Sequence, residues 1–219
     1  MAKKNGFAHR KTGPIPAKAD TVAQKVFLET QLDPVLKEAQ AGQRHVFFVD
    51  AVHFVLGAWL GYLWSLKRIF LPTPSGRQRF NVLGALHAIT HEVVTVTNEA
   101  YINSESVVAL LKQLATSFTD LPITIVLDNA RYQRNHYVMS EAERLGITLL
   151  WLPTYSPNLN LIERLWKLVK AECLHGRYYA NFAPFKQAIT DCLTNRDERH
   201  QQKLSTLLTL KFQLFDRAA

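Results

Sequence analysis

Cysteine is nearly missing. Cys173 and Cys192 are the only two in 219 residues, too few for a disulfide scaffold or for the four-cysteine sites of zinc ribbons. A reducing compartment is the simpler expectation. No apolar h-region follows the charged start "MAKKNGFAHRK", so a secretory signal is not expected. The longest uncharged apolar run lies between Asp50 and Lys67, is interrupted by His53, and falls short of the roughly 20 residues that span a bilayer. A soluble, cytoplasmic protein without a membrane segment is expected. "SGRQRFN" lacks the second Gly and the Lys-Ser/Thr of a phosphate-binding loop. Global disorder is excluded, because hydrophobic residues make up 47% and aromatics 11% of the chain, an ordinary globular mix. The length suits one domain with a short appendage.

Acids are the scarcer charge. Lys and Arg number 26 against 18 Asp and Glu, a net charge of +8. Summed positive charge attracts polyanions and releases their counterions, although the same balance also fits a merely solvated surface. Residues 1–19 carry Lys3, Lys4, Arg10, Lys11 and Lys18 without an acid, and a second scatter contains Arg164, Lys167, Lys170 and Arg177.

The chain up to about Ala19 has Gly6, Gly13, Pro14 and Pro16 and no apolar periodicity, which predicts an extended arm. From Asp20 the spacing predicts one helix broken near Pro34 and closed by Gly42. "HVFFVDAVHFV", "YLWSLKRIFL" and "RFNVLGALHAI" predict three antiparallel strands, with a turn at "TPSGRQR" and an extension at "EVVTVTN". "SESVVALLKQLATSF" predicts a helix capped by its Ser, and "ITIVLD" a strand buried on both faces. A helix from about Asn135 to Leu145, ended by Gly146, then the strand "ITLLWL" and an amphipathic helix from about Leu161 to Cys173 complete a mixed α/β order. The expected organisation is an arm and helical linker over 1–42, a catalytic domain over 43–195 and a tail over 196–219. No internal repeat is seen.

Three carboxylates merit attention. Asp50 closes the apolar run "HVFFVD", where burial costs several kcal/mol unless a donor or cation meets it. A lone Asp at a strand end is commonly a turn or cap residue. Asp128 repeats the situation at the carboxyl edge of "ITIVLD", where open α/β sheets place ligands, although Asp128-Asn129 could equally be a turn. Glu163 has a local explanation too, as the partner of an Asn160 N-cap and of Lys167 one turn on. Periodicity puts Leu161, Leu165, Leu168 and Val169 on the buried side and Glu163, Lys167 and Lys170 on the other. If that helix packs beside the two strands, the three carboxylates converge. Converging carboxylates suit hard divalent cations such as Mg²⁺, which take oxygen ligands and complete their shells with waters and phosphates. Two such ions promote an in-line phosphoryl displacement.

"VFFVDAVHF", "VLDNARYQ" and "LPTYSPNLNLIERLWKLVK" resemble the catalytic core of bacterial insertion-sequence transposases of the 630 family, relatives of the mariner superfamily with an Asp-Asp-Glu triad. Thirty-four residues separate Asp128 from Glu163, the spacing of that family, and the resemblance runs from about Lys18 to the C-terminus. It implies a ribonuclease-H-like fold, a mixed five-stranded sheet flanked by helices. It implies Asp50, Asp128 and Glu163 as metal ligands for two divalent ions, Mg²⁺ with Mn²⁺ as substitute. The implied reaction is DNA cleavage at transposon ends and strand transfer into target DNA at TA sites, by a homodimer on DNA.

The family often has Asp-Glu at the first position, "PPYSPDLNP" in the loop and a His after the second Asp; here stand Asp50-Ala51, "PTYSPNLNL" and Gln133. Tuning, not loss, is expected, since all three carboxylates remain. Relatives usually carry N-terminal helix-turn-helix domains, and this chain begins where those would end. The alternatives are half of a split transposase working with a separate helix-turn-helix polypeptide, a truncated non-catalytic DNA-binding remnant, or a nuclease of the same fold. Expected DNA contacts are Arg77, Arg79, Asn129, Arg131, Tyr155, Asn160, Lys167 and Lys170, with Arg77 and Arg79 equally readable as a solvated hairpin tip. Trp151 and Trp166 read as core or loop packing. His87 and His91 read as structural or surface residues, not a zinc pair, and Cys173 fits the apolar face of its helix.

Overall fold

The computed structural model describes residues 17–57, 59, 64–70, 72, 78–195 and 197–215. Asp20 opens helix α1 (Thr21–Phe27) by accepting from the Val22 and Ala23 amides. The helix passes through a π-helical turn at Leu28–Leu32 into α2 (Asp33–Gln40). The expected break thus falls just before Pro34, as a widened turn that keeps the axis continuous.

Five strands follow: β1 (His45–Val55), β2 (Arg79–His87), β3 (Val93–Asn98), β4 (Ile123–Leu127) and β5 (Ile147–Trp151). They form one sheet in the order β3-β2-β1-β4-β5. The hairpin side is antiparallel, whereas β1-β4 and β4-β5 are parallel. Side chains of β1 alternate between two cores, as a period of two requires. Val46, Phe48, Val52 and Phe54 join one cluster, and Phe47 and Val49 the other. Because β4 runs between β1 and β5 with helices over both faces, all five of its residues are buried.

Helices α3 (Ser104–Ser117) and α4 (His136–Arg144) supply the second cluster. The first is covered by α5 (Ile162–Val169), a π-helical turn at Lys170–Leu174, α6 (Phe182–Thr194) and α7 (Glu198–Leu207). The α4 helix stops at Gly146, whose φ of +69° a side chain would resist.

Three expectations are corrected. In the described part of "YLWSLKRIFL", residues 64–70 form no strand, and Trp64 and Leu66 stand fully exposed; the place expected for it between β1 and β2 does not exist, because those two strands pair directly. The turn at "TPSGRQR" falls mostly outside the described residues. The cap of α3 is Asn103, one residue before the expected Ser, in a reciprocal capping box with Ser106. Asp50 lies inside the long strand β1, not at its end. Among the described residues, no helix is long and apolar enough to cross a membrane.

Candidate active site

Parallel register sets the first relationship. His45 pairs with Ile123 and Phe48 with Val126, so the same offset, carried two residues further, brings Asp50 level with Asp128 just beyond the end of β4. The side of β1 that carries Asp50 is the one covered by α5. Glu163 lies in the first turn of α5, and all three carboxylates line one cleft of about 390 Å³ together with Asn129, Tyr155 and Asn160. The convergence read from periodicity therefore holds. Burial, then the charge of Glu163 and to a lesser degree that of Asp128, push the Asp50 carboxyl up to about 7.

Each aspartate is met by neutral donors. The Trp166 indole donates to Asp50 Oδ2 at 3.0 Å. The Ala130 amide donates to Asp128 Oδ1 at 3.0 Å. With the buried Gln133 amide turned to satisfy both of its ends, its NH₂ donates to the Asp128 main-chain oxygen at 3.0 Å and to the Asp128 carboxylate, while its oxygen accepts from the Tyr132 hydroxyl at 3.3 Å. Burial and the charges of Asp128 and Asp50 push the Tyr132 phenol well above its ordinary range. Neutral donors orient a carboxylate without cancelling its charge. Among the described residues, no three His, Cys, Asp or Glu side chains are gathered closely enough to hold one ion jointly; the cleft is a ring of separated oxygen donors, not a closed cage.

The other expected site residues divide. Tyr155 projects from the cleft loop, half-exposed, at φ +58°, and Lys18 lies over its ring. Asn129 is committed to the scaffold, donating to the Leu152 carbonyl at 2.5 Å and accepting from Arg134 at 2.6 Å. Asn160 is not the expected side-chain cap. Its main-chain oxygen accepts from the Glu163 amide, but its side chain turns inward and donates to the Val49 carbonyl at 3.1 Å. Lys167 and Arg131 are exposed and Lys170 is half-buried, and the expected Glu163-Lys167 ion pair is not among the ion pairs of the described residues. Arg79 lines a separate surface depression with Tyr101 and Phe182, away from the carboxylates. Arg77 lies outside the described residues.

Sequence reasoning missed the roles of Trp166 and Gln133. The spacing held a hint for the first, since Glu163 and Trp166 are three apart and so neighbours on a helix. His87 is buried and hydrogen-bonded to His45, so the structural reading of that residue stands.

A mixed sheet with carboxylates from two adjacent parallel strands and a facing helix defines the class: a ribonuclease-H-like catalytic core. Residues 45–186 match the family described as DDE superfamily endonuclease, well over half of the chain, and the chain belongs to that family. It is 29% identical over 133 residues to the insertion element IS630 uncharacterized 39 kDa protein of Shigella sonnei, covering 58% of this chain but only 38% of that protein. Solved structures agree in fold at low identity. The Mos1 mariner paired end complex with Mn superposes with a TM-score of 0.67 at 12% identity, over 94% of this chain and 65% of that one. The catalytic domain of Mos1 mariner transposase gives 0.55 at 13%, over 89% and 94%. The expected resemblance, an IS630- and mariner-type catalytic part, is borne out.

Proposed function

We propose that this chain is the catalytic part of a transposase that cleaves DNA at transposon ends and transfers the strand into target DNA at TA sites, with Asp50, Asp128 and Glu163 as its metal ligands. The observation that carries this reading is the meeting of those three carboxylates, from β1, the end of β4 and α5, at one cleft in a chain of the DDE endonuclease family.

The donor set fits a hard divalent cation. It is all oxygen and anionic, and its mutual repulsion is relieved by positive charge. Mg²⁺ commonly takes only one or two carboxylates and keeps waters and substrate phosphates, so a ring of separated donors suits it better than a cage would. When bound, two Mg²⁺ or Mn²⁺ ions would activate the attacking oxygen and stabilise the leaving oxygen of an in-line displacement. The parallel register of β1 and β4, carried just past the last paired residues, sets Asp50 level with Asp128, and Glu163 enters the same cleft from α5. The net positive charge attracts the phosphate backbone, with Tyr155 at the cleft and Arg131, Lys167 and Lys170 as further contacts in our reading. A homodimer on DNA, acting in the cytoplasm, completes the proposal. The catalytic unit is taken as 43–195, with 1–42 as arm and helical linker and 196–219 as tail.

The test is nicking of supercoiled plasmid in Mn²⁺ or Mg²⁺ by the wild type and by Asp128→Ala prepared identically. Cutting by the wild type alone supports the reading. Equal cutting by both would sink it, and absence of cutting by a folded, DNA-binding wild type would favour a non-catalytic remnant.

A further inference from the structure

Trp166 reaches a carboxylate of the site from the interior of α5, and the fold makes unusual room for it. Asp50 on β1 and Gly84 on β2 are direct partners in the antiparallel ladder. A Cβ placed on Gly84 would stand 2.6 Å from Trp166 Cη2 and 2.9 Å from Cζ2, so only glycine lets the six-membered ring lie across this rung. Phe54, four residues along β1, meets the indole edge-on with ring centroids 6.5 Å apart. The ring is 1% exposed, gripped by β1, β2 and its own helix. Its single polar atom, the indole N–H, points at Asp50 Oδ2.

We infer that Trp166, seated on Gly84, is a positioning residue that fixes the Asp50 carboxylate for divalent-metal binding and locks it in place relative to Glu163. This rests on the proposed metal role of Asp50. An indole suits the task because it donates one hydrogen bond and accepts none. It therefore orients Oδ2, alongside the Ala51 amide that also meets this carboxyl, brings no positive charge that would compete with a cation, and cannot itself bind the ion. Because Trp166 follows Glu163 by three residues on α5, one side chain ties the helix bearing the third carboxylate to the strand bearing the first. The tie crosses 116 residues of sequence.

The experiment uses the full chain and Mn²⁺ as probe, with free Mn²⁺ followed by electron paramagnetic resonance. Trp166→Phe keeps the ring and loses only the donor. The expected result is an unchanged folded structure by circular dichroism, Mn²⁺ binding weakened three- to tenfold, and a matching rise in the Mn²⁺ needed for half-maximal plasmid nicking, with most of the rate recovered at saturating metal. Wild-type affinity in Trp166→Phe would overturn the positioning role and leave the proposed function standing. No Mn²⁺ binding by the wild type at millimolar concentration would overturn both. Should Trp166→Phe fail to fold, ¹⁵N spectra of the wild type decide. The Trp166 indole signal, identified by elimination from single Phe replacements of the other three tryptophans, must shift saturably with Mg²⁺ and lose that response in Asp50→Asn. A signal indifferent to Mg²⁺ in the wild type, while other cleft amides shift, would overturn the inference.

Discussion

The side-chain amide of Asn160 donates to the main-chain carbonyl of Val49, 111 residues earlier and one residue before Asp50, at 3.1 Å. This bond fastens the loop in front of Glu163 to the middle of β1. Asn160→Asp keeps the volume but removes the donor and adds a fourth anion beside the cleft. A buried carbonyl left without its donor costs about 1–3 kcal/mol. Urea unfolding of Asn160→Asp should show a loss of that order, with plasmid nicking reduced alongside. A variant as stable and as active as the wild type would show that the loop needs no such fastening.

Asp50 contributes charge that the metal-free fold resists, since it is largely buried and faces Glu163 and Asp128. Asp50→Asn removes that charge at nearly constant shape, and the Trp166 indole retains an oxygen to donate to. The metal-free variant is therefore expected to melt higher than the wild type by several degrees while losing all nicking. Adding Mg²⁺ should raise the melting temperature of the wild type, because a ligand bound only by the folded state stabilises it by mass action, and should leave Asp50→Asn unmoved. Differential scanning fluorimetry with and without about 10 mM Mg²⁺, an excess over the roughly millimolar affinity of a weak divalent site, reads both effects. A variant that melts lower than the wild type would place the stability of this region in the Asp50 charge itself.

Much of this was legible beforehand, and the failures share a cause. Alternation along β1 and the unbroken apolar run of β4 are properties of the strands themselves, so both strands and both aspartates could be read directly. The helix of Glu163 was equally readable, because its apolar stripe repeats at helical spacing. Asn160 was misread because Asn-x-x-Glu is a local capping pattern, whereas its real partner is Val49. The Trp166 contact depends on which residue of β2 faces Asp50, and a single sequence does not state that register. "YLWSLKRIFL" has strand composition, but β1 and β2 pair directly with each other, a fact that belongs to the assembled sheet.

Tyr155 occupies the left-handed region at φ +58°, a conformation that costs a non-glycine residue about 1–2 kcal/mol. The Gln24 side chain donates to its main-chain carbonyl at 3.4 Å, so α1 helps hold the strained loop. Tyr155→Gly relieves the strain and Tyr155→Ala does not. The glycine variant should therefore be the more stable of the two by roughly 1 kcal/mol, while both lose DNA affinity equally in a filter-binding or anisotropy assay at fixed salt. Unequal losses of affinity would mean that the backbone conformation, not the phenol ring, meets the DNA.

At the opposite end of the sheet, His87 ends β2 against His45 and Asp120. The Ile89 and Thr90 amides donate to His87 Nδ1 at 3.2 and 3.0 Å, so the proton sits on Nε2 and is donated to His45 Nδ1 at 3.0 Å, and His45 Nε2 in turn donates to Asp120 at 2.9 Å. Burial, then His45 and His91, lower the His87 pKa from 6.5 to about 4. Between those values the unfolded chain binds a proton that the folded chain refuses. Stability should then fall as pH drops from about 6.5 toward 4, by on the order of 2 kcal/mol, and be fully present above 6.5. His87→Asn keeps an acceptor near the Nδ1 position but does not titrate. Urea unfolding at pH 7 and pH 4.5 should show a smaller difference in this variant than in the wild type. Identical differences would assign the acid sensitivity to other groups.

Arg164, next to Glu163, straps the C-terminal segment across the helix of the third carboxylate. Its guanidinium donates to the carbonyls of Leu207, Thr209 and Lys211 at 3.3, 2.7 and 2.7 Å and lies over the Phe212 ring. Asn158, in the cleft loop, reaches the same segment through the Gln213 carbonyl at 2.9 Å. A guanidinium suits this geometry because its planar fork presents five donors in fixed directions, whereas a lysine offers one nitrogen that cannot reach three separated carbonyls. The bonds lie near solvent, so Arg164→Lys should cost only about 1–2 kcal/mol globally. The local effect should be larger, because the strap has few other polar ties. Limited trypsinolysis followed by mass spectrometry should then show cleavage after Lys211 at least fivefold faster in Arg164→Lys than in the wild type, with a fall in nicking as α5 loses its brace. Equal cleavage rates would mean that Leu208 and Phe212, packed on the α5 side of the sheet, hold the segment by apolar contact alone, and that the charge beside Glu163 serves the cleft and not the strap.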